Sequence, residues 1–426
     1  MSEDGIGTND PAGGPVYVQK NDSSATVQAA YLLAAGVPGY TMQNGDVTLN
    51  GTSLSFDPAD SVVGNILGGV NSVWTDVTSI VAPVVDAAPP GNVEFTAAEP
   101  LNTESIDGEI LAVVMNDPTL PTDNTVSFLF GSLDTTGDSF NIGLASPLNL
   151  SDPNLGLTMS IGDSYGYQGP PATGQYSTIS VNGTLMTSSA GGNDDSICKD
   201  DNPQDFANCG NGELMTVGGI GDSTDNPPDP TATDSTCGSP GPPRCDDELY
   251  NLLPFVHNGD TSITVNTDNP SNDDNIFFTG FQLNSTAAVV GEGCVLTPAT
   301  GSTPVNSPYE LTCKVQDSNG NAIADQPVSF KVLSGPNAGM SGTATTDASG
   351  DATFTYTGNA AGTDIVQASF MDSTGKSYAS NEASVTWIAP TQAIATSLSG
   401  GGQSGSSISV PGGTAVTDTA TLTGTN

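Results

Sequence analysis

Gly162-Asp-Ser-Tyr-Gly166 has the G-x-S-x-G spacing that presents a hydrolase serine on a sharp turn. Ser164, Asp247 and His257 also follow one another in the Ser, Asp, His order of that chemistry. A nucleophile elbow needs a strand before it and a helix after it. Tyr167-Gln-Gly-Pro-Pro171 cannot open a helix in this register, so the motif predicts a turn between strands and no catalytic residue. His257, the single histidine, sits in Pro254-Phe-Val-His-Asn-Gly-Asp260 and reads as a surface or capping residue. Glycoside cleavage needs two carboxylates at a set separation, and among 47 acidic residues the sequence singles out no pair. Lys314 and Lys331 could in principle form intramolecular isopeptide bonds with Asn or Asp. Their alternation with apolar neighbours points both to solvent.

Metal binding is the stronger chemical signal. Asp194 and Asp195 in Asn193-Asp-Asp195, Asp222 and Asp225 in Asp222-Ser-Thr-Asp-Asn226, and Asp273 and Asp274 in Asn272-Asp-Asp-Asn275 supply hard oxygen ligands for calcium. None follows the EF-hand order, and solvated turns are the competing reading. No other cofactor is implied. Six basic residues against 47 acidic ones give a formal net charge of −41, although charged residues make up only 12% of the chain. The imbalance comes from missing Lys and Arg. That field repels phosphate backbones and anionic lipid, which excludes nucleic acid as a partner. Arg244 is the one arginine, so no cluster can grip phosphorylated substrates.

The six cysteines fall as sequence-local pairs, Cys198 with Cys209, Cys237 with Cys245 and Cys294 with Cys313. Other connectivities are formally open, but the grouping predicts disulfides and an oxidising compartment. A zinc site does not fit, since there is no C-x-x-C and one histidine. The start, Met1-Ser-Glu-Asp-Gly-Ile-Gly7, lacks the basic and apolar regions of a secretory leader, so a leader is expected outside this sequence. No apolar run approaches the ~20 residues that cross a bilayer, so no direct membrane insertion is expected.

The elements that would position these residues are strands. Tyr309, Leu311, Cys313 and Val315 alternate with polar residues, as do Val328, Phe330, Val332 and Ala352, Phe354, Tyr356. Asp317-Ser-Asn-Gly320, Asp347-Ala-Ser-Gly350 and Asp372-Ser-Thr-Gly375 are turns in which Asp bonds the backbone ahead and Gly takes positive φ. Before residue 288 the same period of two appears in Val126, Phe128, Phe130 and in Ile179, Val181, the latter next to the hairpin signal Asn182-Gly183. Val62, Ile66, Val70, Trp74, Val77 and Val81 have near-helical spacing, and one short helix or turn is predicted between Ser61 and Val85. Residues 190–245 read as an insertion stapled by two disulfides, because so polar a segment could not otherwise offset its ordering entropy. The fold class is all-β, with domains at 1–288, 289–389 and 390–426.

Gln326-Pro-Val-Ser-Phe330, Ser334-Gly-Pro-Asn-Ala-Gly339 and Thr346-Asp-Ala-Ser-Gly-Asp-Ala-Thr-Phe-Thr-Tyr-Thr357 resemble the bacterial Ig-like domain group 1 (Big-1) of the invasin and intimin kind. The resemblance covers about 290–389 and implies a rigid β-sandwich module of a secreted, surface-exposed repeat protein. Trp74-Thr-Asp-Val-Thr78, Val126 to Phe130, Asp247 to Phe255 and Asp273 to Phe278 resemble, more loosely, an uncharacterised N-terminal region of large bacterial secreted proteins with Ig-like repeats. This implies a β-sandwich head. Residues after Pro390 resemble the cut-short start of a further repeat, which is expected to expose apolar edges.

The reading is a non-enzymatic extracellular or cell-surface structural and adhesion protein, in which Ig-like modules form a stalk that presents the head. Its partners would be a surface protein or a glycan, and further Ig-like repeats in the same chain. The alternative is a glycan- or surface-polymer-binding module with Trp74, Tyr165, Tyr167 and Tyr176 as stacking platforms. A secreted hydrolase is the remote alternative.

Overall fold

The computed structural model describes residues 1–7, 11–101, 105–120, 124–164, 177–190, 215–222, 224, 226, 248–272, 274–284, 288–318, 320–389 and 393–423. Apart from one α-helix and short 3-10 turns, the described elements are strands, as the sequence periodicity requires. The chain forms two compact units, Met1–Gly293 with Gln316–Asn321, and Cys294–Val315 with Ala322–Asn426.

In the first unit, the head, the elements begin β1 Ser2–Ile6, β2 Gly14–Lys20, β3 Thr26–Gly36, β4 Thr48–Leu49, β5 Thr52–Ser53, β6 Ser61–Val63, β7 Asn71–Asp76 and helix α1 Thr78–Ala87. They continue with β8 Gly91–Ala98, β9 Ile106–Asn116, β10 Asn124–Phe130, β11 Ser139–Leu144, β12 Leu157–Ser164 and β13 Ser177–Val181. The last are β14 Thr184–Ala190, β15 Met215–Val217, β16 Leu249–Asn251, β17 Ser262–Asp268, β18 Asn275–Asn284 and β19 Ala288–Val290.

Four sheets result. Sheet I has the order β1-β9-β3-β7-β6 and sheet II the order β2-β8-β4-β5. Sheet III runs β10-β18-β12-β15, with β16 also on β12, and sheet IV runs β14-β13-β17-β11-β19. Three apolar layers join them. Val16, Val18 and Phe95 of sheet II pack with Leu32, Leu111 and Val113 of sheet I and with Val81 and Val85 of α1. Leu33, Ile110 and Ala112 on the other face of sheet I meet Met215, Phe277 and Phe278 of sheet III. Met159, Ile161 and Phe281 of sheet III then meet Ile142, Ile179 and Val265 of sheet IV. Sheets I and III are therefore covered on both faces. This is why β9 buries eight consecutive residues, Ile106 to Val113, where a half-buried strand would bury every second one.

The near-helical spacing from Val62 to Val81 resolves into four elements rather than one. Val62 lies in β6, Ile66 opens a 3-10 turn, and Trp74 lies in β7; only Val81 and its neighbours are helical, in α1. β-branched residues and paired glycines keep the earlier part extended. Lys20, 1% exposed, ends β2 and donates from Nζ to Val85 O at 2.9 Å and Asp86 O at 3.0 Å. Lys20 thus meets carbonyls at the negative end of α1.

The second unit contains β20 Gly293–Thr297, β21 Thr300–Pro304, β22 Pro308–Gln316, β23 Pro327–Ser334, β24 Ser341–Thr345, β25 Asp351–Thr357, β26 Gly362–Met371 and β27 Ser377–Ile388. A three-stranded sheet, β20-β22-β25, faces a five-stranded one, β21-β27-β26-β23-β24, in which β21 and β27 run parallel. Their core holds Leu311, Val328, Phe330, Phe354, Val366, Val385 and Trp387. Phe330 and Phe354 stack at 5.1 Å between ring centres, and Trp387 meets Tyr356 edge-on at 5.2 Å. The Asp-x-x-Gly turns close as the sequence predicts. Gly350 N donates to Asp347 O at 3.0 Å and Ser349 N to the Asp347 carboxylate at 2.7 Å, with Gly350 at φ +80°. Beyond this sandwich, β28 Ala393–Gly400, β29 Gln403–Gly405 and β30 Thr417–Thr423 form a small antiparallel sheet that leaves Ile394 71% exposed.

Candidate functional site

Ser164 ends β12 rather than occupying a turn, because Ser164 pairs with Met215 of β15 and with Asn275 of β18. Its Oγ accepts a hydrogen bond from Asn275 Nδ2 at 2.7 Å and is fully buried. The Asn275 Oδ1 in turn accepts from Ser132 Oγ at 2.8 Å. His257, with its side chain 86% exposed, lies 3.8 Å from the Asp260 carboxylate, and no contact joins it to Ser164 among the described residues. Asp247 lies outside the described residues. The described part of the motif is a hydrogen-bonded strand end, with no base beside the serine.

Of the calcium candidates, Asp194, Asp195, Asp225 and Asp273 lie outside the described residues. Asp222 accepts the Gly219 N–H at 2.8 Å and closes its own turn. Asp274 is not at a solvated turn: it is fully buried, accepts a hydrogen bond from Ser177 Oγ, and lies against Asp163. Burial pushes the Asp163 carboxyl well above the ordinary range, and the neighbouring Asp274 and Glu248 carboxyls push it further. Glu248 accepts from the Tyr250 hydroxyl at 2.7 Å. Among the described residues, no group of three or more His, Cys, Asp or Glu has the arrangement of a metal site. What the three carboxyls can do is share protons and hydrogen bonds in a dry layer between sheets III and IV.

Three further carboxyls with raised values lie in the central layers. Glu3 of β1 reaches across to Ser160 of β12 over the bare Cα of Gly280, and burial raises its carboxyl to about 7. Burial likewise raises Glu109 of β9 to about 8, with Glu99 as its hydrogen-bond partner, and lifts Asp107 well above its ordinary value. Sequence reasoning missed Glu3, Glu109, Asp163 and Glu248. An acidic residue in a strand reads as solvent-facing unless both faces of that strand are known to be covered.

Trp74, named as a stacking platform, is half-buried on β7 and meets Tyr31 of β3 edge-on at 5.5 Å. Tyr31 continues to Phe128 of β10 at 6.1 Å. Burial, and then the nearby Asp76 carboxylate, raise the Tyr31 hydroxyl above its usual value. Tyr165, Tyr167 and Tyr176 lie outside the described residues. A cleft of about 450 Å³ opens nearby, lined by side-chain amides that include Gln28, Asn116, Asn124 and Gln282.

The Cys294–Cys313 disulfide is formed, with 5.8 Å between Cα atoms, and joins β20 to β22. Cys198, Cys209, Cys237 and Cys245 lie outside the described residues. Lys314 and Lys331 are exposed, in keeping with the alternation of their strands. The buried carboxylate of this unit is Asp364. Its Oδ2 accepts from Trp387 Nε1 at 2.7 Å, Asn337 Nδ2 at 2.9 Å and Tyr356 OH at 3.2 Å. Asn337 N adds a bond to Oδ1 at 3.0 Å.

Comparison with known proteins agrees with the second sandwich. Residues 298–388 match the family described as bacterial Ig-like domain (group 1), so this part of the chain is an Ig-like structural module. No curated protein matches the chain. Among solved structures, the PKD domain of an M14-like peptidase from Thermoplasmatales archaeon SCGC AB-540-F20 is 20% identical over 22% of this chain and 92% of that one, with a TM-score of 0.16. A protein described as membrane anchored, from Corynebacterium diphtheriae, is 12% identical over 68% of this chain and 59% of that one, with a TM-score of 0.20. The chain thus spans less than two thirds of the second protein, and at these TM-scores neither likeness carries an argument.

Proposed function

We propose that this chain is a non-catalytic extracellular structural protein, in which Ig-like modules act as a stalk for the head and the head makes adhesive contacts at the cell surface. The observation that carries this reading is the Ig-like module at 298–388. A network around Asp364 and one disulfide tie its aromatic core together. Such a sandwich resists extension and offers little chemistry of its own. The large deficit of Lys and Arg keeps the chain off nucleic acid and anionic lipid, as an exposed spacer requires.

An antibody raised against the chain tests this on intact producing cells. Labelling without permeabilisation is expected, and labelling that requires permeabilisation would overturn the surface reading. Adhesion is tested separately with beads coated in the full chain, which should attach to host or abiotic surfaces more than beads coated in an unrelated acidic protein.

The amide-lined cleft beside Asn116 and Gln282 favours a second reading, glycan or surface-polymer binding, because amides pair with hydroxyls as both donor and acceptor. A glycan array probed with the full chain, and then with Asn116→Ala and Gln28→Ala, decides it. Signal that the substitutions do not weaken would remove the cleft from the argument.

A further inference from the structure

We propose that the outer edge of β10 is a docking slot for one extended, basic peptide strand supplied by a partner. This goes beyond the stalk-and-head reading and does not depend on it. Among the described residues, β10 is the last strand of sheet III and pairs with β18 alone. Gly131 N continues that ladder to Phe277 O at 3.0 Å, which fixes its phase. Thr125, Ser127 and Leu129 therefore turn their backbone groups toward β18, and Val126, Phe128 and Phe130 turn theirs outward. No hydrogen bond reaches those outward groups among the described residues. Edges of this kind are usually blunted with Lys, Pro or a bulge, and Asn-Thr-Val-Ser-Phe-Leu-Phe has none of these.

The sheet opposite gives the slot its floor. Ile110 of β9 lies against Gly162 of β12 and Phe278 of β18, and Tyr31 of β3 lies against Phe128 of β10. Strands β7 and β6 follow β3 in sheet I, whereas among the described residues no strand of sheet III follows β10, and the segment after it reaches only the Gly64 end of β6, where Ser132 lies against Gly64 and Asn65 bonds Asp134. Sheet I thus projects two strands further and carries half-buried Trp74 and Val62 on the projection. A hollow adjoins each end of the edge. One, of about 450 Å³, touches Asn124 and Val126; the other, of about 380 Å³, touches Leu129, Phe130 and Val62. A guest strand bonded to Val126, Phe128 and Phe130 would place alternate side chains over Trp74 and Val62.

Charge and width select the guest. Asp117 and Asp138 line the two hollows and Asp76 lies near Tyr31, while among the described residues of the head the one Lys or Arg is the buried Lys20 and the Met1 amino group is engaged by Gln282. The complementary ligand is a strand alternating apolar residues with Lys or Arg. A second copy does not fit. Antiparallel pairing of two β10 edges would put both projections on the same side, each two strands or ~10 Å wide, across a single gap of ~4.8 Å.

The test uses the full chain and a labelled peptide about nine residues long, alternating Val with Lys, beside a twin with Glu for Lys and a twin with Pro at alternate positions. Fluorescence anisotropy should show saturable binding of the Lys peptide that weakens with salt, and none of either twin. Amide hydrogen exchange should find Val126, Phe128 and Phe130 fast in the free chain and slowed by the Lys peptide. Val126→Pro deletes an outward N–H without touching the β18 ladder, and should weaken binding roughly tenfold or more with the melting midpoint of the head retained. Val62→Lys, on the opposite sheet, should weaken it as well and keeps the test decisive where the proline variant fails to fold. Equal binding of the Glu peptide, outward amides already slow in the free chain, or protection that depends on protein concentration alone would each overturn the proposal.

Discussion

β23 of the Ig-like module buries Val328, Phe330 and Val332 and exposes the residues between them, whereas β9 of the head buries everything from Ile106 to Val113. Both pair with antiparallel neighbours. The difference is the number of layers: β23 has one covered face, and β9 lies in a sheet covered on both. In the module, a polar residue can go to solvent by staying in phase. In the middle layers of the head it cannot, and Glu3, Asp107, Glu109 and Asp163 are held in dry surroundings with their pKa values raised. A β-protein with several stacked layers therefore couples its stability to protonation, and a two-layer sandwich largely does not.

The comparison can be tested by treating the two tryptophans, Trp74 in the head and Trp387 in the module, as separate reporters. The largest effect of a single substitution is expected in the module. Asp364→Ala strands the Trp387, Tyr356 and Asn337 donors in a core, which should cost about 1–3 kcal/mol for each donor left unsatisfied. Denaturant melts should show it as a shift in the Trp387 transition and none in the Trp74 transition.

Next comes pH. Glu3 and Glu109 have folded values of about 7 and about 8 against 4.5 for the free side chain, so between those values the folded head holds protons that the unfolded chain has released. Head stability should be greatest near pH 4.5 and fall as pH rises toward 8, by on the order of 3 to 5 kcal/mol for each group. Glu109→Gln should flatten the decline of the Trp74 transition; a head more stable at pH 8 than at pH 5 would contradict the assignment.

A smaller change is expected from Lys20→Met, which leaves Val85 O and Asp86 O without their cation and should cost the head about 1–3 kcal/mol. Thermal melts at fixed pH would measure it. The smallest belongs to Lys331→Thr, on the exposed face of β23, with a change within about 0.5 kcal/mol. A large loss there would mean that this face is covered.

Legibility in the sequence followed the same division. Tyr309 to Val315, Val328 to Val332 and Ala352 to Tyr356 could be assigned to strands with the correct inward faces because period two and one-sided burial coincide. Asp347-Ala-Ser-Gly350 and Asn182-Gly183 were readable because turn chemistry is local; Asn182 has φ 49° and Gly183 φ 75° between paired Val181 and Thr184. The site residues were much less readable. Asp274 drew notice as part of an acidic loop, yet its neighbour Asp163 comes from a strand far away in sequence. Ser164 drew notice for a motif, and its partner is Asn275 rather than a histidine.

The sequence by itself determined the all-β class, the Ig-like module and its inward-facing residues, the Asp-x-x-Gly turns and the shortage of positive charge, because each depends on composition or on neighbours a few residues apart. Only the tertiary structure decided that the head stacks four sheets, that its middle strands carry carboxyls away from water, and that sheet I projects beyond β10. Those features depend on which strands become neighbours across layers, and alternation along one strand does not reveal how many of its faces another sheet will cover.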